Sequence, residues 1–231
     1  MPLAKELAAN GVNYHYFSYE KGNPTLSAEK SYQADICLGW NDDKWSIQIS
    51  PFYNYFPNYI YLNPTSIRDL YYGGAVNQVF KYTQSRVVRY GGELQFKYNL
   101  LKGLSTEVLG EYVLSRQLSG DKKGYSLPFS PPPSVLFNLT YSPQFNKGFT
   151  GTYFSVDYRI TGRQNQIVSP EKRTEGYHLM NFQTGTKIKV SGQQIAVNLQ
   201  VQNVLNKKYF DHTSLYRLIE LPEAGRNVVL S

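Results

Sequence analysis

Asp211, His212, Thr213 and Ser214 stand side by side near the C-terminus. A carboxylate, an imidazole and a hydroxyl are the parts of a hydrolytic triad. Such a triad needs each base within hydrogen-bond reach of its neighbour. Adjacent residues of an extended chain point to opposite faces, so adjacency alone does not assemble one. His15 and His178 lie far away in sequence. Glu107 and Glu111 would share a strand face about 13 Å apart, beyond the ~5–9.5 Å of a glycosidase carboxylate pair. A single cysteine, Cys37, and three scattered histidines exclude an internal disulfide framework and match no tetrahedral metal spacing. The Asn138-Leu139-Thr140 sequon falls inside a strand rather than on a surface loop. Gly91-Gly92, Gly148 and Gly151 form no phosphate loop; isolated glycines in strands mark bends or bulges. The side chains therefore predict no catalytic centre, no metal site and no cofactor.

The totals narrow the class. The chain has 231 residues, with 24 Lys+Arg against 17 Asp+Glu and a formal charge of +7. The basic residues are dispersed, with clusters no larger than pairs such as Lys122-Lys123, and no recognition motif accompanies them. Nucleic acid is not an expected partner. Mean hydropathy is −0.44, and no run approaches the ~18 apolar residues of a membrane helix. A membrane barrel stays open, because its strands are only half apolar. Tyrosine is frequent at 21 residues. The first seven residues, MPLAKEL, lack the apolar core of an export signal, so the chain is expected to begin after one or to be a segment of something longer.

Helical periodicity is confined to residues 3–9. Elsewhere the period is two. In the 194–202 segment, Ile195, Val197, Leu199 and Val201 point one way and Gln194, Ala196, Asn198, Gln200 and Gln202 the other. The same alternation marks segments around Tyr32, Trp45, Leu94, Thr106, Val135, Phe154 and Phe182, and the terminal Val228-Val229-Leu230. About nine strands are predicted. Short turns at 41–44, 102–103, 142–148 and 191–192 alternate with long connections at 57–77, 116–133, 162–176 and 206–226. Short turns at one end and long loops at the other are the pattern of outer-membrane barrels.

Charge falls on one face. Asp35, Glu93, Lys97, Glu107, Glu111, Asp157, Arg159, Lys187 and Lys189 all belong to the polar sides of their strands. A wet lumen explains this, with the apolar faces in lipid. Trp40 and Trp45 flank one short turn, where an interfacial aromatic girdle belongs. An odd number of antiparallel strands leaves the first and last strands pointing the same way. Closing them would need a parallel seam, foreign to antiparallel single-chain bacterial barrels. The strands are therefore expected to form an incomplete barrel, unless an extra strand at 14–19 repairs the parity.

The ending carries the most specific pattern. A long alternating strand runs into Asn203-Val204-Leu205-Asn206-Lys207-Lys208-Tyr209; a long loop follows, then Gly225-Arg226-Asn227 and a final apolar strand. Upstream lie Gly22-Asn23-Pro24, Glu29-Lys30-Ser31, the VRYGGELQF segment at 88–96 and the proline-rich run before Tyr141. Together these resemble the C-terminal part of the β-barrel of TonB-dependent outer-membrane receptors. The resemblance implies an all-β antiparallel transmembrane segment, with residues 1–28 akin to an extracellular loop and 29–231 to the barrel. It implies location in the outer membrane of a Gram-negative bacterium, contact with outer-membrane lipid, and a parent importing chelated iron, a cobalamin-like cofactor or an oligosaccharide. Three steps are implied: capture by extracellular loops, a plug blocking the lumen, and plug movement driven by the TonB system. The plug, the TonB-engaging segment and the remaining strands belong to the parent, since such barrels have ~22 strands.

The resemblance assigns Asn203, Asn206, Tyr209, Gly225, Arg226 and Asn227 to a corner where the chain leaves and re-enters the barrel. Arg226 is expected to pair with a loop carboxylate such as Glu220 or Glu223. Tyr59, Tyr61, Tyr71 and Tyr72 supply aromatic surface in one long loop and are the candidate ligand contacts. Two other readings stay open: a passive porin-like or structural barrel, and a soluble β-barrel binding module.

Overall fold

A computed structural model describes residues 1–15, 17–69, 77–145 and 148–231. A short helix α1 (Ala4–Ala8) and two short strands, β1 (Asn10–Asn13) and β2 (Ser18–Lys21), lead into the strands that follow. These are β3 (Tyr32–Asp35), β4 (Leu38–Asn41), β5 (Trp45–Asp69), β6 (Asn77–Leu101), β7 (Leu104–Gln117) and β8 (Ser134–Tyr141). Then come β9 (Phe149–Thr161), β10 (Tyr177–Val190), β11 (Gln193–Gln202) and β12 (Asn227–Leu230), with a 3₁₀ turn at Leu215–Ile219 before the last.

From β5 to β12 each strand pairs antiparallel with the next. β3 and β4 both pair with β5 in one common register and are a single strand interrupted at Ile36 and Cys37. The gap lies opposite Pro51, which has no N–H to give to the ladder. Counted so, nine strands form the meander, as the alternation predicts. No hydrogen-bonded pair joins β12 to β3 or β4 among the described residues. The sheet is open: an incomplete barrel.

The alternative of an extra strand at 14–19 is met only by β2, at Ser18–Lys21, and in a different role. β2 pairs parallel with β6 over residues 78–81. β7 leaves that edge of β6 free, because its ladder ends at Val87. β2 thus covers an unpaired edge at the loop end. Its Glu20 is buried against β6, accepting hydrogen bonds from Asn13 (2.8 Å) and Tyr82 (3.0 Å). It adds no membrane strand, and the parity stays odd.

The expected 57–77 loop is also corrected. β5 and β6 each run 25 residues, roughly 80 Å at ~3.3 Å per residue. Only ~9–11 residues are needed to cross a bilayer. Pro57 falls at the first register shift of this hairpin, between Phe56 and Tyr59, and Pro64 borders the second, between Pro64 and Arg68. Proline breaks the ladder locally and is accommodated at bulges, so pairing resumes beyond each one. Far above the other strands, the hairpin forms a ribbon.

The register keeps one face apolar through the whole sheet. Leu38 lies opposite Ile49, Ile49 opposite Leu94, Leu139 opposite Val156, and Leu199 opposite Leu230. Large apolar side chains on this face are exposed, among them Leu38, Ile49, Leu94, Leu139, Phe154 and Val197. Trp40 and Trp45 stack at 6.4 Å beside the 42–44 turn. Tyr32, Tyr53, Tyr90, Tyr112 and Tyr158 are exposed nearer the loop end. Two aromatic levels bounding an apolar band are what a bilayer interface requires. Most of the buried apolar residues, including Phe56, Tyr61, Phe80, Val87, Leu127 and Val168, lie at the loop end.

Candidate functional site: the inner wall and the mouth

The opposite face is a mostly polar wall, with Leu109 and Leu136 set among its charged positions. Lys97 meets Glu107 at 3.4 Å, and Glu107 also accepts a hydrogen bond from Gln95. Asn138 donates to Asp157 at 2.7 Å, and Gln183 reaches the same carboxylate at 3.4 Å. Glu93 lies directly opposite Glu111 in the β6–β7 register. Glu111 pairs with Arg159 at 3.2 Å and accepts from Ser134; Glu93 has no ion-pair partner among the described residues. The charged positions that the alternation places inward on β6 to β9 share this wall.

Above it, the loops converge. The 118–133 loop folds over the inner face of β5, β6 and β7. Leu127 packs there with Phe56, Tyr61 and Val87. Ser115 on β7 holds Ser126 and Ser130 of the loop, each at 2.8 Å. Gln117 donates to the Ser126 carbonyl at 2.9 Å. These short serine contacts satisfy loop polar groups that would otherwise be buried unpaired.

A buried charge cluster ties this loop to two others. Glu171, from the 162–176 loop, and Arg217, from the 203–226 loop, form an ion pair with side chains 3% and 6% exposed. The Phe129 N–H donates to Glu171 at 3.0 Å. Arg217 stacks over the Phe129 ring at 4.7 Å and donates to the His212 carbonyl at 2.6 Å. His212 is buried, its Nδ1 2.9 Å from the Thr174 hydroxyl. Its Nε2 stands 3.4 Å from Glu171, ion-pair distance without hydrogen-bond geometry. Burial works against the Glu171 charge. The close approach of His212, the Phe129 N–H and the positive charge of Arg217 prevail, holding the carboxyl below the usual carboxylate range. Phe80 of β6 stacks on Phe129, and Phe17 of the β1–β2 connection reaches Tyr216.

Asp211 and His212 turn to different partners. Asp211 accepts from the Tyr177 hydroxyl at 2.9 Å and from Thr213 through its N–H and hydroxyl. Burial disfavours its charge, but these hydrogen bonds outweigh the penalty and lower its pKa. Among the described residues, no hydroxyl contacts both side chains: Thr174 meets His212, and Tyr177 and Thr213 meet Asp211.

The corner residues come together. Asn203 is buried with φ 48°; its side chain donates to the carbonyls of Lys207 and Ala224 and accepts from the Lys207 N–H. Asn206, φ 50°, accepts the Arg226 N–H at 3.0 Å. A Cβ on Gly225 would lie 2.9 Å from the same Asn206 oxygen. Tyr209 packs on Tyr177 at 4.3 Å, and burial, then the nearby Glu223 and Asp211, raises its pKa. Asn227 opens β12 opposite Gln202. One detail is corrected. Arg226 pairs with neither Glu220 nor Glu223; Glu220 meets Lys172 at 3.1 Å. It is the backbone of Arg226, not its guanidinium, that is held.

The four loop tyrosines fare differently. Tyr59 and Tyr61 are on β5, not on a loop, and face the mouth interior. Tyr61 is buried, and its hydroxyl donates to Gln117 at 2.6 Å. It supports the wall rather than offering free surface. Tyr59 stacks edge-on against Phe56 and lines a cavity. Tyr71 and Tyr72 lie outside the described residues. Sequence reasoning missed Glu171, Arg217 and Phe129, which are joined only by loop folding. No periodicity links them.

A family model described as "TonB dependent receptor-like, beta-barrel" matches residues 1–204. The chain belongs to the TonB-dependent receptor β-barrel family. Solved structures agree. The copper transporter OprC superposes with a TM-score of 0.75 at 20% identity, over 99% of this chain and 35% of its own. The FrpB iron transporter from Neisseria meningitidis (F3-3 variant) gives 0.62 at 20% identity, over 92% and 32%. BauA, the ferric preacinetobactin receptor from Acinetobacter baumannii, gives 0.62 at 14%, over 87% and 29%. This TonB-dependent receptor segment thus spans about a third of the length of these neighbours. It is an outer-membrane protein of the Gram-negative type.

Proposed function

We propose that the chain is the C-terminal barrel portion of a receptor that captures a scarce nutrient and imports it with TonB-coupled energy. The carrying observation is the mouth. Three loops and the N-terminal segment fold together over the inner face, locked by Glu171 and Arg217. A passive pore has no need of a mouth built in this way. The similar structures named above are a copper transporter, an iron transporter and a ferric preacinetobactin receptor, which favours a chelated metal over a cobalamin-like cofactor or an oligosaccharide.

In this reading residues 1–28 are an extracellular piece and 29–231 the barrel portion. The plug meets the inner wall, where Glu93 lies across the strand pair from the Glu111–Arg159 ion pair and has no ion-pair partner of its own among the described residues. The corner of Asn203, Asn206, Tyr209, Gly225, Arg226 and Asn227 fixes barrel assembly and does not touch ligand.

Radiolabelled iron chelates supplied to cells expressing the complete receptor test this. Uptake that stops when TonB is deleted or the proton gradient is collapsed is the expected result. Uptake that persists in both conditions would make the barrel passive and overturn the proposal.

A further inference from the structure

At the loop end, the face that carries the apolar band finishes in two arginines. The period of two puts Leu94, Tyr90, Val88 and Arg86 of β6 on that face, with Tyr112, Leu114 and Arg116 of β7. Arg116 lies directly opposite Val88, so Arg86 is its diagonal neighbour, ~7–8 Å away. Both arginines are exposed. Neither side chain makes an ion pair or a hydrogen bond among the described residues; Arg86 is held there only through its backbone. The carboxylates of the neighbourhood are engaged elsewhere. Glu29 accepts the Ile60 N–H at 2.9 Å, Asp121 stands by Tyr61 on the mouth side, and Glu93 and Glu111 belong to the inner wall. Lys30 adds a third exposed cation at this rim, since its N–H donates at 2.9 Å to Asn58, in the bulge across from Arg86. Adjacent like charges repel, and the surrounding chain does not offset them.

Their height is that of lipid headgroups. Tyr90 and Leu114 form one cross-strand row; Arg116 stands one pleat repeat above it and Arg86 two. At ~3.4 Å per residue and a tilt of ~40°, that is about 5 Å and 10 Å above the tyrosine level. The headgroup layer is roughly 5–8 Å deep on each side of the hydrocarbon core, within reach of both long side chains. Planar guanidinium groups bind phosphate oxygens in pairs. We infer that Arg86 and Arg116 clamp a phosphate of a phosphorylated glycolipid in the outer leaflet, its acyl chains lying down the Tyr90, Leu94 and Leu114 surface. A zwitterionic headgroup brings its own cation and leaves the arginine charges uncompensated, so the occupant carries more phosphate than ammonium. The inference goes beyond the receptor reading: it concerns what the outer face holds in its leaflet, whatever passes through the lumen.

Native mass spectrometry of the purified complete receptor in detergent tests the clamp. The probes are diphosphoryl lipid A, the same lipid stripped of its phosphates, and inorganic phosphate. Wild type is compared with Arg86→Gln, Arg116→Gln and Arg116→Lys, and with Arg89→Gln, which removes a charge from the inner face of the same strand. Heat-modifiable gel mobility reports the folded fraction. Wild type is expected to bind diphosphoryl lipid A more tightly than the stripped lipid. Arg86→Gln and Arg116→Gln should each weaken that binding roughly 10- to 100-fold through loss of one charged hydrogen-bonding group. Arg116→Lys should lose less, and Arg89→Gln nothing. If a glutamine variant does not fold, the Arg116→Lys loss, confined to the phosphorylated lipid, carries the comparison. Equal binding of the two lipids, unchanged affinity in the Arg86 and Arg116 variants, or an equal loss in Arg89→Gln would overturn the clamp. Inorganic phosphate bound without lipid, with the same dependence on Arg86 and Arg116, would make the occupant a free anion and overturn the lipid assignment. Each of these outcomes leaves the receptor reading standing, because none of them measures import.

Discussion

Replacing Glu171 by Gln leaves Arg217 buried, charged and without its carboxylate. Breaking a buried ion pair from one side costs about 3–5 kcal/mol, and here the cost falls on the packing of three loops. The expected outcome is faster tryptic cleavage at Lys122 and Lys123 in Glu171→Gln, with the barrel strands still protected. The pH dependence follows from the carboxyl's lowered pKa. A depressed folded value stabilises the cluster fully above the unfolded value of about 4.3 and loses that stabilisation as pH falls through the lower folded value. Hydrogen-exchange protection of the Phe129 amide, corrected for intrinsic rate, is therefore expected to hold from pH 7 to pH 5 and to fall only below the usual carboxylate range. At the corner, Gly225→Val brings a branched side chain against the Asn206 oxygen that receives the Arg226 N–H. Less folded receptor in the outer membrane is expected, with unchanged ligand affinity per folded molecule. Arg226→Ala keeps that N–H and should be milder. Normal folded amounts with collapsed affinity would turn the corner into a binding site.

Among the elements, β11 separates the two faces most cleanly. Val197 is exposed on the apolar side, whereas Gln200 faces Gln183 across the polar wall. Val197→Arg should cost about 2–4 kcal/mol near the bilayer midplane, and Gln200→Arg little, measured by unfolding of the refolded receptor in liposomes. The period-two pattern made these faces legible, because a strand with lipid on one side and water on the other must alternate. The β5–β6 ribbon was not legible as strand. Pro57 and Pro64 are turn-like locally, and only pairing with β6 shows that the bulges absorb them. The same limit hid the mouth. Glu171 and Arg217 are 46 residues apart on loops without periodicity, and their pairing is a product of tertiary folding. Asn203, Asn206 and Gly225 were legible as a corner through their resemblance to the family's ending; the left-handed asparagines and the close approach at Gly225 are what the fold adds.

At the scale of the whole molecule, nine meander strands with parallel outer strands leave two open edges. The chain alone is expected to give no stable unitary conductance in planar bilayers; well-defined channels from the purified chain would contradict the open sheet. The central claim is that one face of this sheet meets lipid and the other water. Single cysteines at Leu139 and Val197 on one face and at Asn138 and Gln200 on the other, in a Cys37→Ser background, test it most directly. The complete receptor is reconstituted, labelled with an environment-sensitive fluorophore and exposed to brominated lipids. The account predicts strong quenching at Leu139 and Val197 and little at Asn138 and Gln200. Equal quenching at all four positions, or quenching confined to Asn138 and Gln200, would contradict it.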